Sequence, residues 1–179
     1  NEIKWHALSQ CDLITALNIP DSVVSIDEDI GSPDSLTEII IGAALMNFSN
    51  ISDCHYYTDI SISANNPYLV YKDDAIYSSD MSILYYAKAK ETITVPEGVI
   101  KISETAFCPK TGRNTVTKVI NLPASLDLIE GKPFVNLYEL TDINVASGND
   151  YYQSENGLLY SNNFALLHHC PQGKTGSVT

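Results

Sequence analysis

Short segments with alternating apolar side chains recur along the whole chain, and most of them end at Pro or Gly. In "TITVP" (residues 92–96) and "TKVINLP" (residues 117–123), every second side chain near the end is apolar. This period is typical of a β-strand with one buried face, and Pro or Gly ends such a strand. The sequence predicts four equivalent strands in "CDLITALNIP", "LTEIIIG", "CHYYTDISI" and "LTDINV".

A return segment follows four of these strands. Two apolar residues lie three and six positions after the final Pro or Gly: Val23 and Ile26, Leu45 and Phe48, Val99 and Ile102, Leu126 and Ile129. Each unit therefore consists of a strand, a turn and a return segment. A single unit cannot bury its apolar side alone, so we expect the units to stack with their strands parallel.

A longer repeat is superimposed on these units. Residues 58–86 align without gaps with residues 141–169, and eight of the 29 positions are identical. The shared pattern predicts an inserted β-hairpin, with turns at Asp73-Asp74 and Ser79-Asp80 in one copy and at Asn156-Gly157 and Asn162-Asn163 in the other. The apolar pairs Ile76/Leu159 and Leu84/Leu167 occupy equivalent places, where we expect them to continue the buried layer.

The stretches "IPDSVVSI", "VPEGVIKISETAF" and "LPASLDLIEGKPFVNLYELTDINV" resemble leucine-rich repeats of the BspA type. The hairpin segments are similar to an insertion that recurs in that family. The resemblance extends over nearly the whole chain after residue 10. It implies a strand-rich α/β-type solenoid, a right-handed leucine-rich-repeat stack with a parallel sheet and two inserted β-hairpins. Gly42 in place of Pro and Asp74-Ala75 in place of an Asp-Gly turn depart from the family pattern.

The expected organisation is an N-terminal cap over residues 1–10 and one repeat domain over residues 11–179, with super-repeats 11–86 and 87–179. Stacked repeats need caps because their terminal units expose an apolar layer. Trp5 is expected to fold over the first unit. At the other end, Val178 falls in the slot of Ile93. We therefore expect either a longer array or a partner, such as a second copy, at the open C-terminal repeat.

Composition, charge and the absence of known motifs argue against several classes of function. The formal net charge of −12 disfavours nucleic acid, and no apolar run approaches the length of a membrane span. The sequence contains none of the common phosphate-binding, hydrolase or zinc-protease motifs, so no enzyme activity and no cofactor are expected. His168-His169-Cys170 is not expected to bind a metal, because adjacent strand residues point to opposite faces.

The four cysteines do not form a CxxC motif, and a chain of 179 residues needs no disulfide to fold. Cys11 and Cys54 occupy a slot three residues before a leucine position. We expect both to be buried and all four cysteines, including Cys108 and Cys170, to be free thiols.

Positions between the buried slots of the strands form two rows across one face, which is the candidate binding face. Solenoids present extended binding surfaces in this way, although a solvated face is the simpler interpretation. The candidate contacts are Asn18, Glu38, Ile40, Asp59, Ser61, Asn121, Asp142 and Asn144. Tyrosines near the hairpins provide candidate aromatic contacts, although packing in the core or on a sheet is the simpler interpretation: Tyr71, Tyr85, Tyr86 and Tyr152.

These observations favour a non-enzymatic binding module that recognises a host or cell-surface protein or glycan. The resemblance implies an extracellular or cell-surface location in bacteria that live with a host, and a role in adhesion. The alternative is a structural spacer of a larger surface protein with no ligand of its own. A binder should carry a contiguous exposed apolar or aromatic patch, whereas a spacer should not.

Overall fold

The computed structural model describes residues 1–4, 7–27, 35–48, 59–107 and 114–176. Within these ranges the chain forms β-strands and turns and no helix. The strands are β1 (Glu2–Ile3), β2 (Ala16–Ile19), β3 (Ser25–Ile26), β4 (Glu38–Ile41), β5 (Asp59–Ile62), β6 (Leu69–Lys72), β7 (Ala75–Ser78), β8 (Ile83–Ala87), β9 (Thr92–Thr94), β10 (Lys101–Ile102), β11 (Val119–Leu122), β12 (Leu128–Ile129), β13 (Asp142–Val145), β14 (Tyr152–Glu155), β15 (Leu158–Ser161) and β16 (Leu167–His169).

The predicted equivalent strands form two parallel sheets, which confirms the strand-rich solenoid. One sheet has the order β2-β4-β5 and the other the order β9-β11-β13. Their registers keep equivalent positions side by side, so that Ile39 lies between Leu17 and Ile60. Ile120 lies in the same way between Ile93 and Ile143. The period of the apolar residues therefore places one row of side chains from each strand inside the stack.

The return segments complete the apolar interior. All the residues at the first of the two return positions are buried, and so are Ile26, Phe48 and Ile102 at the second. Ile129 is half-buried against the same interior. Short strands β10 and β12 pair in parallel here, with Ile102 beside Ile129.

Both predicted hairpins are present. A two-residue turn joins β6 to β7 at Asp73 and Asp74, with φ values of 53° and 63°, and another joins β14 to β15 at Asn156 and Gly157, with φ values of 51° and 76°. Two successive left-handed residues match the right-handed twist of paired strands, and Asp, Asn and Gly adopt this conformation most readily. We call positions 83 residues apart in the two hairpins twins.

The first hairpin is a two-faced layer inside the stack. Ile76 and Tyr86 pack in a first core, made by buried residues between positions 19 and 86. Tyr77 and Leu84 pack in a second core, made by buried residues between positions 75 and 159. On its other edge, β8 pairs in parallel with β10. The hairpin therefore replaces a return segment and covers the apolar layers of both neighbours, as the apolar pattern predicts.

An asparagine, half-buried in the first hairpin and buried in the second, fastens the start of each hairpin to the preceding unit. Asn149 Nδ2 donates to the carbonyl oxygens of Pro123 at 3.1 Å and Leu126 at 2.7 Å. Its Oδ1 accepts from the backbone N–H groups of Tyr151 at 2.8 Å and Tyr152 at 2.7 Å. The twin residue Asn66 makes the corresponding four bonds, to Gly42, Leu45, Tyr68 and Leu69. One side chain thus satisfies backbone groups that strand pairing leaves open.

The N-terminal segment covers the first unit. Strand β1 pairs in parallel with β3, so that Ile3 lies beside Ile26 in the way that Leu84 lies beside Ile102. Ile3 and Leu8 pack against the first core. Trp5, which the sequence analysis places in this cap, lies outside the described residues.

Ile60 departs from the expected full burial. It is half-buried, whereas Ile143, in the equivalent strand position, is 0% exposed. The hairpin turn explains the difference, because the N–H of Ile143 donates to the Gly157 carbonyl at 2.9 Å. A Cβ on Gly157 would lie 2.3 Å from Asp142 Oδ1. Asp74, the twin of Gly157, carries a side chain, and its Oδ2 lies 2.9 Å from Lys90 Nζ.

Leu167 also departs from the expectation. The twin Leu84 is 1% exposed, but Leu167 is 45% exposed. The hairpin registers are the same, since Tyr77 faces Leu84 and Tyr160 faces Leu167. The two hairpins differ in what lies beside their last strand. Strand β10 pairs with β8, whereas no strand of the described residues pairs with the outer edge of β16, so Leu167 stays exposed.

The cysteines are only partly as expected. Cys11 and Cys170 are free thiols. Cys11 is half-buried instead of buried, because the segment before β2 lies at the end of the stack, and Cys170 is exposed. Cys54 and Cys108 lie outside the described residues.

Replacing Ile143 by Ala should lower the free energy of unfolding by about 2–5 kcal/mol, because a fully buried side chain would leave a cavity. The neighbouring variant Asn144→Ala is the control and should cost little, because Asn144 is exposed. Urea denaturation monitored by circular dichroism measures both. Equal losses would show that the assigned inner and outer faces are incorrect.

Replacing Asn149 by Ala should lower the free energy of unfolding by about 1–3 kcal/mol or more, because it leaves buried backbone donors and acceptors unpaired. Asn149→Asp should also be destabilising, because the oxygen that replaces Nδ2 would face the carbonyl oxygens of Pro123 and Leu126. Native-state hydrogen exchange at Tyr151 and Tyr152 should accelerate in the Ala variant. Unchanged exchange at both amides would contradict the assigned role.

Candidate functional site

The outward side chains of β2, β4 and β5 form what we call the first sheet face. Register aligns Ala16, Glu38 and Asp59 in one row. Asn18, Ile40 and Ser61 form the second row, and all six residues are exposed. The alternation of the sequence predicts this arrangement of candidate residues.

A shallow depression of about 390 Å³ lies at the end of this face. Asn18, Ile40 and Ser61 line it together with the turns that follow the strands. The turns pack closely, since a Cβ on Gly42 would lie 2.5 Å from the carbonyl carbon of Pro20. This approach accounts for Gly in place of the usual Pro at position 42.

The polar side chains of the first sheet face are not used to hold the fold together. Within the described part of the chain, the side chains of Asn18, Glu38, Asp59 and Ser61 make no hydrogen bond and no ion pair to other residues. Ile40 stands among them and is 40% exposed. A ligand could therefore bond to these groups without breaking contacts that stabilise the protein.

The second sheet face, formed by the outward side chains of β9, β11 and β13, is different. Asn144 Nδ2 donates to Asn121 Oδ1 at 3.0 Å, and Asn121 Nδ2 donates to Thr94 Oγ1 at 3.1 Å. Lys174 Nζ lies 3.3 Å from Asp142 Oδ1. The candidate residues Asn121, Asp142 and Asn144 thus bond across neighbouring strands or to the following turn.

Two of the four candidate aromatic contacts are buried, as the packing interpretation expects. Tyr86 is 7% exposed and packs edge-to-face on Phe48, with ring centroids 5.9 Å apart. Burial raises its pKa well above the ordinary value. Tyr152 is 8% exposed, and its hydroxyl accepts from the N–H of Ile129 at 3.2 Å. Both rings face the interior because they occupy inward positions of their strands.

The other two candidate tyrosines are half-buried. The Tyr71 hydroxyl donates to Asp74 Oδ1 at 3.2 Å. Burial raises the pKa of Tyr71, and the Asp74 carboxylate adds to the effect. Tyr85 is half-buried as well. Neither residue lies on the two parallel sheets that carry the other candidates.

An exposed apolar row on the return side was not predicted. Val24 and Met46 occupy corresponding positions in consecutive units, and Tyr68 lies at the start of the hairpin that follows; all three are exposed. The Met46 N–H donates to the Val24 carbonyl at 3.3 Å. Ile100 and Tyr151 are the counterparts in the second half and are also exposed. For Val24, Met46 and Ile100, the sequence signal was an apolar residue directly after the buried valine or leucine of a return segment.

His168 and His169 point to different neighbours, as expected for adjacent strand residues. His168 lies against Tyr152 and His169 against Phe134, each with ring centroids 5.3 Å apart. Across the described ranges, no group of three or more metal-binding side chains is close enough to hold an ion. In the same ranges, no helix is long and apolar enough to cross a membrane.

Comparison with known families identifies the repeat. The model of the BspA type leucine-rich repeat region matches residues 1–81 and 80–164 with six copies. The chain therefore belongs to the BspA-type leucine-rich repeat family. No curated protein matches the chain.

Two solved structures are similar. The crystal structure of the pneumococcal vaccine antigen PcpA matches with a TM-score of 0.56 and 13% identity, over 83% of this chain and 43% of that one. A leucine-rich repeat protein from Eubacterium ventriosum matches with a TM-score of 0.40 and 19% identity, over 73% of this chain and 36% of that one. The chain spans less than half the length of either structure, and the first likeness supports the shared fold.

The free energy of unfolding should decrease between about pH 7 and pH 5 because of His169. Burial lowers the pKa of His169 below 6.5, so the unfolded chain binds a proton more readily than the folded chain. His169→Tyr, which introduces the residue type of the twin Tyr86, should reduce this loss of stability. The exposed neighbour supplies the control variant His168→Gln. Urea denaturation across this pH range measures the loss in the native chain and in the two variants. Equal losses in all three proteins would contradict the assignment to His169.

Proposed function

We propose that the chain is a non-enzymatic binding module at the surface of a bacterial cell, where it recognises a protein or a glycan through the first sheet face. Membership of the BspA-type repeat family supports a surface role. A solved relative described as a vaccine antigen also fits display towards a host. Adhesion is the biological role that we attach to this recognition.

The contrast between the two sheet faces carries the proposal. On the second face, Asn121 bonds to side chains on both neighbouring strands. On the first face, equivalent outward positions hold polar side chains without partners in the described contacts, around the exposed Ile40. An exposed apolar side chain among free hydrogen-bonding groups is the composition of many binding surfaces.

The charge of the first sheet face suggests the chemistry of the ligand. Strands β2, β4 and β5 contain Glu38 and Asp59 but no Lys or Arg. Asp21 lies at the rim of the depression. The net charge of −12 adds to this local field. A ligand with basic groups or many hydroxyls would be complementary, whereas an acidic ligand would be repelled.

A spacer is the second candidate function, and the ladder on the second sheet face favours it. Side chains that bond along the stack stiffen it without requiring a ligand, as a rigid connector would need. The exposed apolar residues Val24, Met46 and Tyr68 argue in the other direction, because an inert spacer has no need for repeated exposed apolar side chains.

A glycan and matrix-protein array screened with the purified chain tests the proposal. Binding of ligands that the native chain retains should be weakened at least tenfold by the double variant Ile40→Lys, Ser61→Lys, which changes the shape of the depression and adds two positive charges to it. Because both residues are exposed, thermal unfolding of the variant should match that of the native chain.

Two variants on the second sheet face, Thr94→Lys and Asn144→Lys, are the matched controls and should leave binding unchanged. Absence of any ligand on a broad array would support the spacer. Equal weakening by variants of both faces would show that the contact surface is not the first sheet face.

A further inference from the structure

The two parallel sheets are separate, and β9 is the edge strand of the second one. Its sheet has the order β9-β11-β13, so β9 pairs with β11 and with no other strand of the described residues. On that side, the Glu91 carbonyl accepts from a β11 N–H at 3.1 Å, and the Val95 N–H donates to a β11 carbonyl at 2.9 Å. Backbone groups alternate between the two edges of a strand, so those of Thr92 and Thr94 point away from β11.

These outward backbone groups of β9 are open. Across the described ranges, no residue donates a hydrogen bond to the backbone of Thr92 or Thr94 or accepts one from it. The outer edge of β13 is different, because the N–H groups of Ile143 and Val145 there both donate to the second hairpin at 2.9 Å. Thr92 and Thr94 are exposed, so solvent and a ligand can reach the open edge of β9.

A cavity of about 290 Å³ lies against residues 92–96, and the turn of the first hairpin forms its opposite wall. Two hydrogen bonds hold this turn to the segment before β9. The Lys88 N–H donates to the Asp74 carbonyl at 2.9 Å, and Lys90 Nζ donates to the Asp73 carbonyl at 3.3 Å. The turn therefore faces the edge of β9 across the cavity, with stacked units on both sides of it.

The lining of this cavity is apolar inside and balanced in charge at the rim. Tyr77, Leu84, Ile93 and Val95 line it, and all four are buried residues of the second core. The rim carries the two aspartates of the turn and the two lysines of the following segment, whose formal charges cancel. The cavity therefore suits an apolar or uncharged segment, whereas the acidic first sheet face favours a basic ligand.

We propose that an extended peptide segment of another protein adds to β9 as a further strand. Its backbone bonds to the open groups of Thr92 and Thr94, and apolar side chains at alternate positions enter the cavity beside Ile93 and Val95. Open N–H and C=O groups on alternate residues, about 6.8 Å apart, match the backbone of an extended peptide. A glycan has no donors and acceptors that alternate at this spacing. The site lies apart from the first sheet face, so the proposal does not depend on recognition by that face.

Selection from a displayed library of random decapeptides, followed by hydrogen exchange measured by NMR, tests the site. In the free chain, the amides of Thr92 and Thr94 should exchange faster than those of Ile93 and Val95, which are bonded to β11. A selected peptide should slow exchange at Thr92 and Thr94 at least tenfold. Its affinity should change little between about 0.1 and 1 M salt, because the charges at the rim cancel.

Two variants at one position separate the backbone group from the side chain. Thr94→Pro removes the outward N–H and keeps the bonds to β11, since Pro is tolerated on the open edge of a strand. It should weaken peptide binding at least tenfold. Thr94→Val is the matched control, because it also loses the hydroxyl that accepts from Asn121 but keeps the N–H, and it should bind as the native chain does. The double variant Ile40→Lys, Ser61→Lys should also bind the peptide unchanged, which distinguishes this site from the first sheet face.

The proposal is overturned if the library yields no binding peptide, or if a bound peptide leaves the exchange of Thr92 and Thr94 unchanged. Equal peptide binding by folded Thr94→Pro and Thr94→Val would overturn it as well. If Thr94→Pro does not fold, the exchange measurement on the native chain decides alone. Slower exchange at these two amides with a glycan, and none with any peptide, would show that the edge binds a different class of ligand.

Discussion

Every apolar layer in this stack has to be covered on both sides, and this constraint organises the rest of the structure. Leucine-rich units meet it by stacking in register, with Ile39 between Leu17 and Ile60 and Ile120 between Ile93 and Ile143. The first hairpin meets it as a layer with two apolar faces, one for each core. The N-terminal strand meets it by occupying, beside β3, the place that β8 occupies beside β10.

Side chains with a functional role can lie at the positions to which this constraint does not apply. Inward positions of the strands are fixed by packing, whereas outward positions are free to differ between units. The two sheet faces use that freedom in different ways, since Asn121 and Asn144 bond along the stack while Asn18, Ile40 and Ser61 surround a depression. A binding role for the first face and a stiffening role for the second are compatible within one molecule, because the solenoid separates them along its length.

The fold followed from the sequence because period-two strands, their terminal Pro or Gly and the two-residue turns are local signals. The candidate face followed for the same reason, since alternation decides which residues point outward. The predictions that failed concern side-chain burial, which depends on residues distant in the sequence. Ile60 is less buried than Ile143 because its hairpin turn has Asp74 where the other has Gly157. Tyr86 and Tyr152 remained candidates for surface contacts until the structure showed them buried, because residue type alone does not distinguish a packed ring from an exposed one.

The first hairpin is the layer that joins the two cores into one cooperative unit, and native-state hydrogen exchange tests this most directly. Amides of Ile39 and Ile120 lie in the centres of the two parallel sheets and report on the first and second cores. Measured against urea, both should exchange through the same global opening, and Ile76→Ala on one face of the hairpin should lower the opening free energy of both equally. Separate opening free energies, with Ile76→Ala affecting Ile39 alone, would contradict it.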